Sequence, residues 1–172
     1  MDAMTNLLTR RSIRKYKGDM LPREVIEKII EAGVYAPTGH NHQSPIIVAV
    51  TARATRDKLS ALNARVLNTD SDPFYGAPVV LNVLAEKDWR THVADGSVVM
   101  ENLMLAAHAL GVGSCWINRA KEVFETEEGK EILRTAGIEG EYEGVGHCIL
   151  GYADCDAPNP APRKENYVYW VE

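Results

Sequence analysis

"HVADGSVVMENLMLAAHAL", residues 92 to 110, reads as one long helix with almost no polar face. Val98, Val99, Met100, Leu103, Met104, Leu105, Ala107 and Leu110 fall on most sides of its axis rather than along one stripe. Such a helix is either central to its domain or covered by another subunit, and in a chain of 172 residues the pattern favours both together. Its neighbours are strands. "PVVLNVLAE" at 78 to 86, introduced by the turn "FYGAP", is apolar and β-branched enough for a buried strand, and "GVGSCWI" at 111 to 117 is a turn leading into a short one.

Working outward, "LPREVIEKIIEAGVYA" (21 to 36) places Val25, Ile26, Ile29, Ile30, Gly33 and Val34 on one helical face, with Pro22 suited to the first turn. Pro37 pushes the residue before it out of helical geometry and ends the helix. "IIVAVT" (46 to 51) is another buried strand, and "RDKLSALNARVLN" after it an amphipathic helix. "KEVFETEEGKEILRTAG" predicts one or two surface helices, and "GVGHCILGYA" (144 to 153) a further strand. The tail "DCDAPNPAPRKENYVYW" carries Pro158, Pro160 and Pro162, which favour an extended arm. At about 3.1 Å per residue, Asp154 to Arg163 would reach roughly 30 Å. "ENYVYWV" beyond it has strand character and invites pairing with a neighbour's sheet. Helices and strands alternate, but a terminal strand joins late, which predicts an α+β chain with a mixed three-layer sheet. All of residues 1 to 172 read as one domain, with 154 to 172 as its extended arm.

The totals restrict the function. A net charge of −5 argues against a broad nucleic-acid-binding face, so any anion bound should be small and local. No apolar run approaches membrane-spanning length, and the first residues lack the pattern of a secretory leader, so the expectation is a soluble cytoplasmic protein. Three cysteines, Cys115, Cys148 and Cys155, without a CxxC spacing suit neither a disulfide framework nor a zinc site.

Against that acidic background, "TRRSIRKYKG" (9 to 18) gathers Arg10, Arg11, Arg14, Lys15 and Lys17 around Ser12. Arginine forks and a hydroxyl match the acceptor oxygens of a phosphate ester, although the stretch alone reads equally as a solvated basic turn. Arg163 and Lys164, a second basic pair at the end of the arm, favour the phosphate. "PTGHNHQSP" offers Asn41 and Gln43 beside Gly39, amides that present donor and acceptor together as a heterocycle with imide and carbonyl edges requires; an isolated Asn is as often a loop cap. His40 and His42 have no acidic or thiol partner at ligand spacing, so no metal is expected. Gly111 and Gly113 let backbone approach a planar ligand, or simply terminate the long helix. Cys115 has no basic partner in sequence and reads as a packed thiol. A Ser12–His147–Asp95 triad can be assembled but lacks a nucleophile elbow and is set aside.

Four segments in this order, "RRSIRKY", "APTGHNHQSP", "FYGAPVVLNVLA" with "ENLMLAAHALGVGSCWI", and "ILGYADCDAPNPAPRK", resemble the FMN-dependent nitroreductase family over residues 10 to about 164. The resemblance implies a homodimer with a central mixed sheet between helices, an exchanged C-terminal segment and two FMN sites at the subunit interface. Carried over by position, Arg10, Arg11, Ser12 and Arg14 resemble the phosphate and ribityl contacts, and Arg163 and Lys164 their C-terminal partners. Pro37, Thr38 and Gly39 match the loop facing the flavin, Asn41 with help from Gln43 the amide that bonds its ring, and Cys115, Trp116, Ile117 and Asn118 the backbone lying against the isoalloxazine. Two departures stand out: Ile46 and Ile47 follow where the family often has an aromatic residue, and the short 52 to 77 segment leaves little chain for a lid. What the resemblance implies is NAD(P)H-driven reduction of nitroaromatics, quinones or similar acceptors by a ping-pong cycle, with NADH or NADPH as donor and no side chain as an indispensable acid or base. Two alternatives remain: the same flavin fold used for reductive dehalogenation or flavin breakdown, and a module that holds a flavin or another phosphorylated metabolite without turnover.

Overall fold

The computed structural model describes all 172 residues. Four strands, β1 (Pro45–Val50), β2 (Val79–Glu86), β3 (Gly113–Ile117) and β4 (Tyr142–Gly151), form one sheet in the order β1-β2-β4-β3. β2 is buried from Val79 to Ala85 because both faces of the sheet are covered, which is why its sequence is continuously apolar rather than alternating. On one face, α2 (Arg23–Val34) and α4 (His92–Ala109) pack with Ile26, Ile29, Met100 and Leu103 over Leu81, Val83 and Cys148. On the other, α3 (Arg53–Leu67), α5 (Ala120–Glu125) and α6 (Glu127–Thr135) enclose a second core around Leu59, Phe74, Phe124 and Ile149. The three layers of an α+β fold are those expected.

One expectation is corrected. The sheet is not mixed among its strands: β1–β2, β2–β4 and β3–β4 all pair antiparallel, and the parallel contact is a single bridge from Ser12 to Ser114. The strands are joined by helices rather than tight turns: α3 lies between β1 and β2, α4 between β2 and β3, and α5 and α6 between β3 and β4. Within its own chain "ENYVYWV" joins no ladder: residues 154 to 172 are exposed throughout and belong to no helix or strand. A strand exists only within a ladder, and the arm lies along none in its own chain.

The sheet is kinked where it meets its helices. Val83 pairs with Gly146 and Leu84 with Gly144, so Val145 is the extra residue of a β-bulge. The bulge sends Val145 against Gly96 of α4 on one face and brings Gly144 under the Ala120 carbonyl of α5 on the other. A side chain at Gly144 would overlap that backbone.

One helix had no counterpart in the sequence reading. α1 (Ala3–Thr9) is started by Asp2, whose Oδ1 accepts the Thr5 N–H at 3.0 Å. It is tied to α4 by Asn6 Nδ2 donating to Leu105 O at 3.1 Å and by Thr9 Oγ1 lying 2.9 Å from His108 Nε2. None of its residues is buried, and Met4, Leu7 and Leu8 stand exposed. No helix of the chain is long and apolar enough to cross a membrane.

Candidate functional site

The basic stretch follows α1 and is laid along β3, whose outer edge would otherwise be unpaired. Ile13 N–H donates to Ser114 O at 2.9 Å and Lys17 N–H to Tyr152 O at 2.9 Å, while Ile13 and Tyr16 drop into the core below. This threading carries Arg14 to the end of β3, where it lines a cleft of about 170 Å³ together with Cys115, Trp116, Ile117 and Asn118. Buried Asn63 of α3 shapes the far corner, donating to Asn118 O at 2.8 Å and accepting from Arg119 Nε at 3.0 Å. Of the basic cluster, Arg14 thus joins the β3 segment in this cleft, and Ser12 bridges Ser114 on the same strand.

The arginines here are under-partnered. Arg10 Nε reaches Glu101 Oε1 at 3.4 Å, but its Nη1 is buried without any hydrogen-bond acceptor. Arg11 Nη1 donates to Leu8 O at 2.9 Å and Arg10 O at 2.6 Å, closing the end of α1. The cationic field is felt locally: burial, with Arg10 and Arg11 nearby, pushes His108 below the usual imidazole range. A buried guanidinium N–H left without an acceptor is costly, and a small anion would remove the cost.

The loop of Pro37 to Gln43 lies elsewhere, ahead of edge strand β1 and against the start of α4. It contains a 3₁₀ turn, Gly39–Asn41, in which His40, Asn41 and then Gln43 all have left-handed backbone, with φ of 53°, 56° and 57°. Thr38 Oγ1 accepts the Gln43 N–H at 3.0 Å, and Gln43 Nε2 donates to Asn41 Oδ1 at 3.3 Å. The amides of Asn41 and Gln43 are exposed and face outward from the fold. Beside the loop, Ile30, Val34, Ile46, Ile47 and Val99 line an apolar recess of about 320 Å³. Ser44 is buried and accepts the Glu86 N–H at 3.1 Å, tying the loop's exit to β2.

Comparison with known proteins interprets this layout. The model of the nitroreductase family matches residues 7–71 and 67–152. The chain belongs to the nitroreductase family. A provisionally named NADH dehydrogenase/NAD(P)H nitroreductase of Methanothermobacter thermautotrophicus is 30% identical over 178 residues, covering 95% of this chain and 82% of that protein. A second protein of the same provisional name, from Archaeoglobus fulgidus, is 29% identical over 169 residues, covering 96% and 90%. Among solved structures, the nitroreductase with bound FMN from Bacteroides fragilis superposes with a TM-score of 0.90 at 24% identity over 100% of both chains, which establishes the fold.

Within a nitroreductase-family chain, the remaining predicted site residues are distributed unevenly. Arg163 donates to Ala161 O through Nε at 3.2 Å and Nη2 at 2.7 Å, and Lys164 stands 5.2 Å from the centre of the Tyr167 ring. Neither touches the Arg10–Arg14 stretch, while the root of the arm meets the residue after it: Asp154 N–H donates to Lys15 O at 3.0 Å, and Lys15 Nζ pairs with Asp154 Oδ2 at 3.0 Å. Cys115 is buried, as the reading of it as a packed thiol requires. Cys148 is buried too, and burial pushes its thiol pKa far up, leaving it protonated and inert. The triad does not assemble. His147 Nδ1 lies 2.6 Å from Asn82 Oδ1 in the core, and Asp95 serves Gly39, Trp89 and Thr91. Sequence reasoning missed what surrounds the loop: Trp89, Thr91 and Asp95 supply its supports, and no motif marks them.

Proposed function

We propose that this protein is an FMN-dependent oxidoreductase that uses NADH or NADPH to reduce nitroaromatics, quinones or similar electron-poor acceptors by a ping-pong cycle, as a single FMN-binding domain in a homodimer. One observation carries the cofactor assignment: the buried, unpartnered Arg10 Nη1, at a position that matches the family's phosphate contacts. The names of the relatives and the FMN in the Bacteroides fragilis structure support the same reading. When bound, FMN would supply the hydride chemistry, which the side chains of the chain do not.

The residues divide the work by chemistry. Arg10, Arg11, Ser12 and Arg14 would hold the phosphate and ribityl chain, with Arg163 and Lys164 reaching them from the arm of the other copy. Asn41 and Gln43 would orient the heterocycle through paired donor and acceptor groups. The backbone of Cys115 to Asn118 would lie along the ring, and Arg14 or a backbone N–H there would stabilise negative charge on the ring's carbonyl side.

Where these groups sit supports homodimerisation. The basic cluster flanks β3 and the amide loop precedes β1, and β1 and β3 are the two opposite edges of the sheet. A second copy that contributes one of the sets would bring both to one planar ligand. The exposed apolar residues Met4, Leu7 and Leu8 of α1, Val34 and Tyr35 after α2, and Val98 of α4 supply the surface.

An anaerobic visible spectrum of the protein with FMN, before and after NADH and then NADPH, tests the function. Bound flavin that bleaches within seconds of donor addition is the expected result and names the donor. Flavin that binds but stays oxidised with both donors would leave only the binding module, and absence of binding would remove the phosphate assignment.

A further inference from the structure

The loop carrying Asn41 and Gln43 holds three non-glycine residues, His40, Asn41 and Gln43, in left-handed conformation within four positions. Such backbone persists only where its surroundings over-determine it. Here the restraint comes from one buried carboxylate outside the loop. Asp95, in the first turn of α4 and 5% exposed, accepts three neutral donors: Gly39 N–H on Oδ1 at 3.0 Å, and Trp89 Nε1–H and Thr91 Oγ1–H on Oδ2, each at 3.0 Å. Its bond to Gly39 grips the start of the 3₁₀ turn directly. Its bond to Trp89 grips the turn a second time, because the His42 ring is stacked on that indole at 4.0 Å and 19°, and the His40 ring meets it edge-on at 6.3 Å. Two outer contacts close the cage, His42 Nε2 to Glu86 Oε2 at 2.7 Å and Arg90 Nη2 to His40 Nε2 at 2.5 Å. Gly39 itself has no room for a side chain, since a Cβ would come 2.5 Å from Thr91 Oγ1.

We propose that Asp95, acting through Gly39 and Trp89, is the positioning residue that holds the Thr38–Gln43 loop in its left-handed form and so aims Asn41 and Gln43 at the flavin. The inference rests on the reading of this loop as flavin-facing. Its chemical requirement is specific. Three donors converge on Asp95, so a carboxylate satisfies all of them, whereas an amide of the same size turns an N–H₂ toward at least one N–H or O–H. Asp95→Asn therefore preserves volume and removes the restraint.

The test compares Asp95→Asn and Trp89→Phe with the unmodified chain, first without FMN and then with it. Without FMN, hydrogen exchange at the Gly39–Gln43 amides should rise about tenfold or more in Asp95→Asn while the β2 and β4 amides stay protected. With FMN, the same variant should bind the flavin more weakly, shift its visible band, and lose roughly 10- to 100-fold in kcat/KM for the nicotinamide donor, as misplaced orienting groups do. Trp89→Phe should show part of each effect, and the double variant no more than Asp95→Asn, because both act on one network. Unchanged exchange at the loop would overturn the anchoring. Raised exchange with an unchanged flavin spectrum, FMN affinity and donor KM would show an anchor with no role in positioning. If the unmodified protein binds no FMN, the flavin reading falls, and the exchange measurement alone decides whether Asp95 anchors the loop. Should Asp95→Asn fail to fold, Thr91→Val and Trp89→Phe, each removing one donor, carry the same comparison.

Discussion

His147 is a histidine with no exposed surface, held between Phe74 and Phe124 with Nδ1 on Asn82 Oδ1. Asn82 Nδ2 donates to Val48 O at 2.9 Å, so its oxygen faces the ring and accepts from Nδ1–H. Nε2 is then an unprotonated nitrogen with no donor. Burial, helped by the charge of Arg119, pushes this histidine down to about 3. An unfolded histidine titrates near 6.5, so between those values the unfolded chain binds a proton that the folded chain does not. Stability should therefore fall as the pH drops below about 6.5, by about 1.4 kcal/mol per unit until about pH 3. Urea midpoints measured from pH 7 to pH 4 should show that slope in the unmodified protein. His147→Gln, which still donates to Asn82 but does not titrate, should flatten it; equal slopes would assign the acid sensitivity to other groups. From the sequence, His147 was only a member of an unsupported triad, because nothing local says that a histidine in a strand will meet an asparagine 65 positions away.

At the level of elements, periodicity located almost everything that buries a face. The helices over 23 to 34, 53 to 67 and 92 to 109, and the strands at 45, 79, 113 and 142, all appear within a few residues of where the patterns put them. Pro22 stands one place ahead of the first turn of α2 rather than inside it. α1 went unread because a seven-residue helix with no buried residue has no hydrophobic stripe to detect. The bulge at Val145 was also unreadable, since "EGVGHCIL" is a plausible regular strand and only the approach of α4 and α5 from both sides demands the irregularity. That demand is testable. Gly144→Ala places a methyl group on the Ala120 carbonyl and should cost about 3 kcal/mol through overpacking, lowering Tm by about 10 °C in a chain of this size. A melting temperature within a degree or two of the original would mean that α5 can slide away from β4 freely.

For the whole molecule, the arrangement of halves makes an assembly prediction. If the α1–α2–α4 face joins two copies, Leu8→Glu should place a charge in an apolar contact and shift the protein from dimer to monomer in light scattering. FMN retention should fall with it, because the basic cluster of one copy then loses the amide loop of the other. A monomer that still binds FMN normally would place the complete site within one chain and refute the shared-site reading.

Order along the chain was enough to assign the α+β class, the principal elements, and the basic, amide and glycine-containing segments that resemble the family, since these depend on periodicity, turn chemistry and residue type within short windows. Folding alone settled three further matters: the antiparallel order of the sheet, the separation of the basic cluster and the amide loop onto opposite edges, and the convergence of Gly39, Trp89 and Thr91 on Asp95. Each of these is a relation between residues far apart in the chain. Periodicity reports which side of an element is buried, but not which distant element buries it or what the two then share.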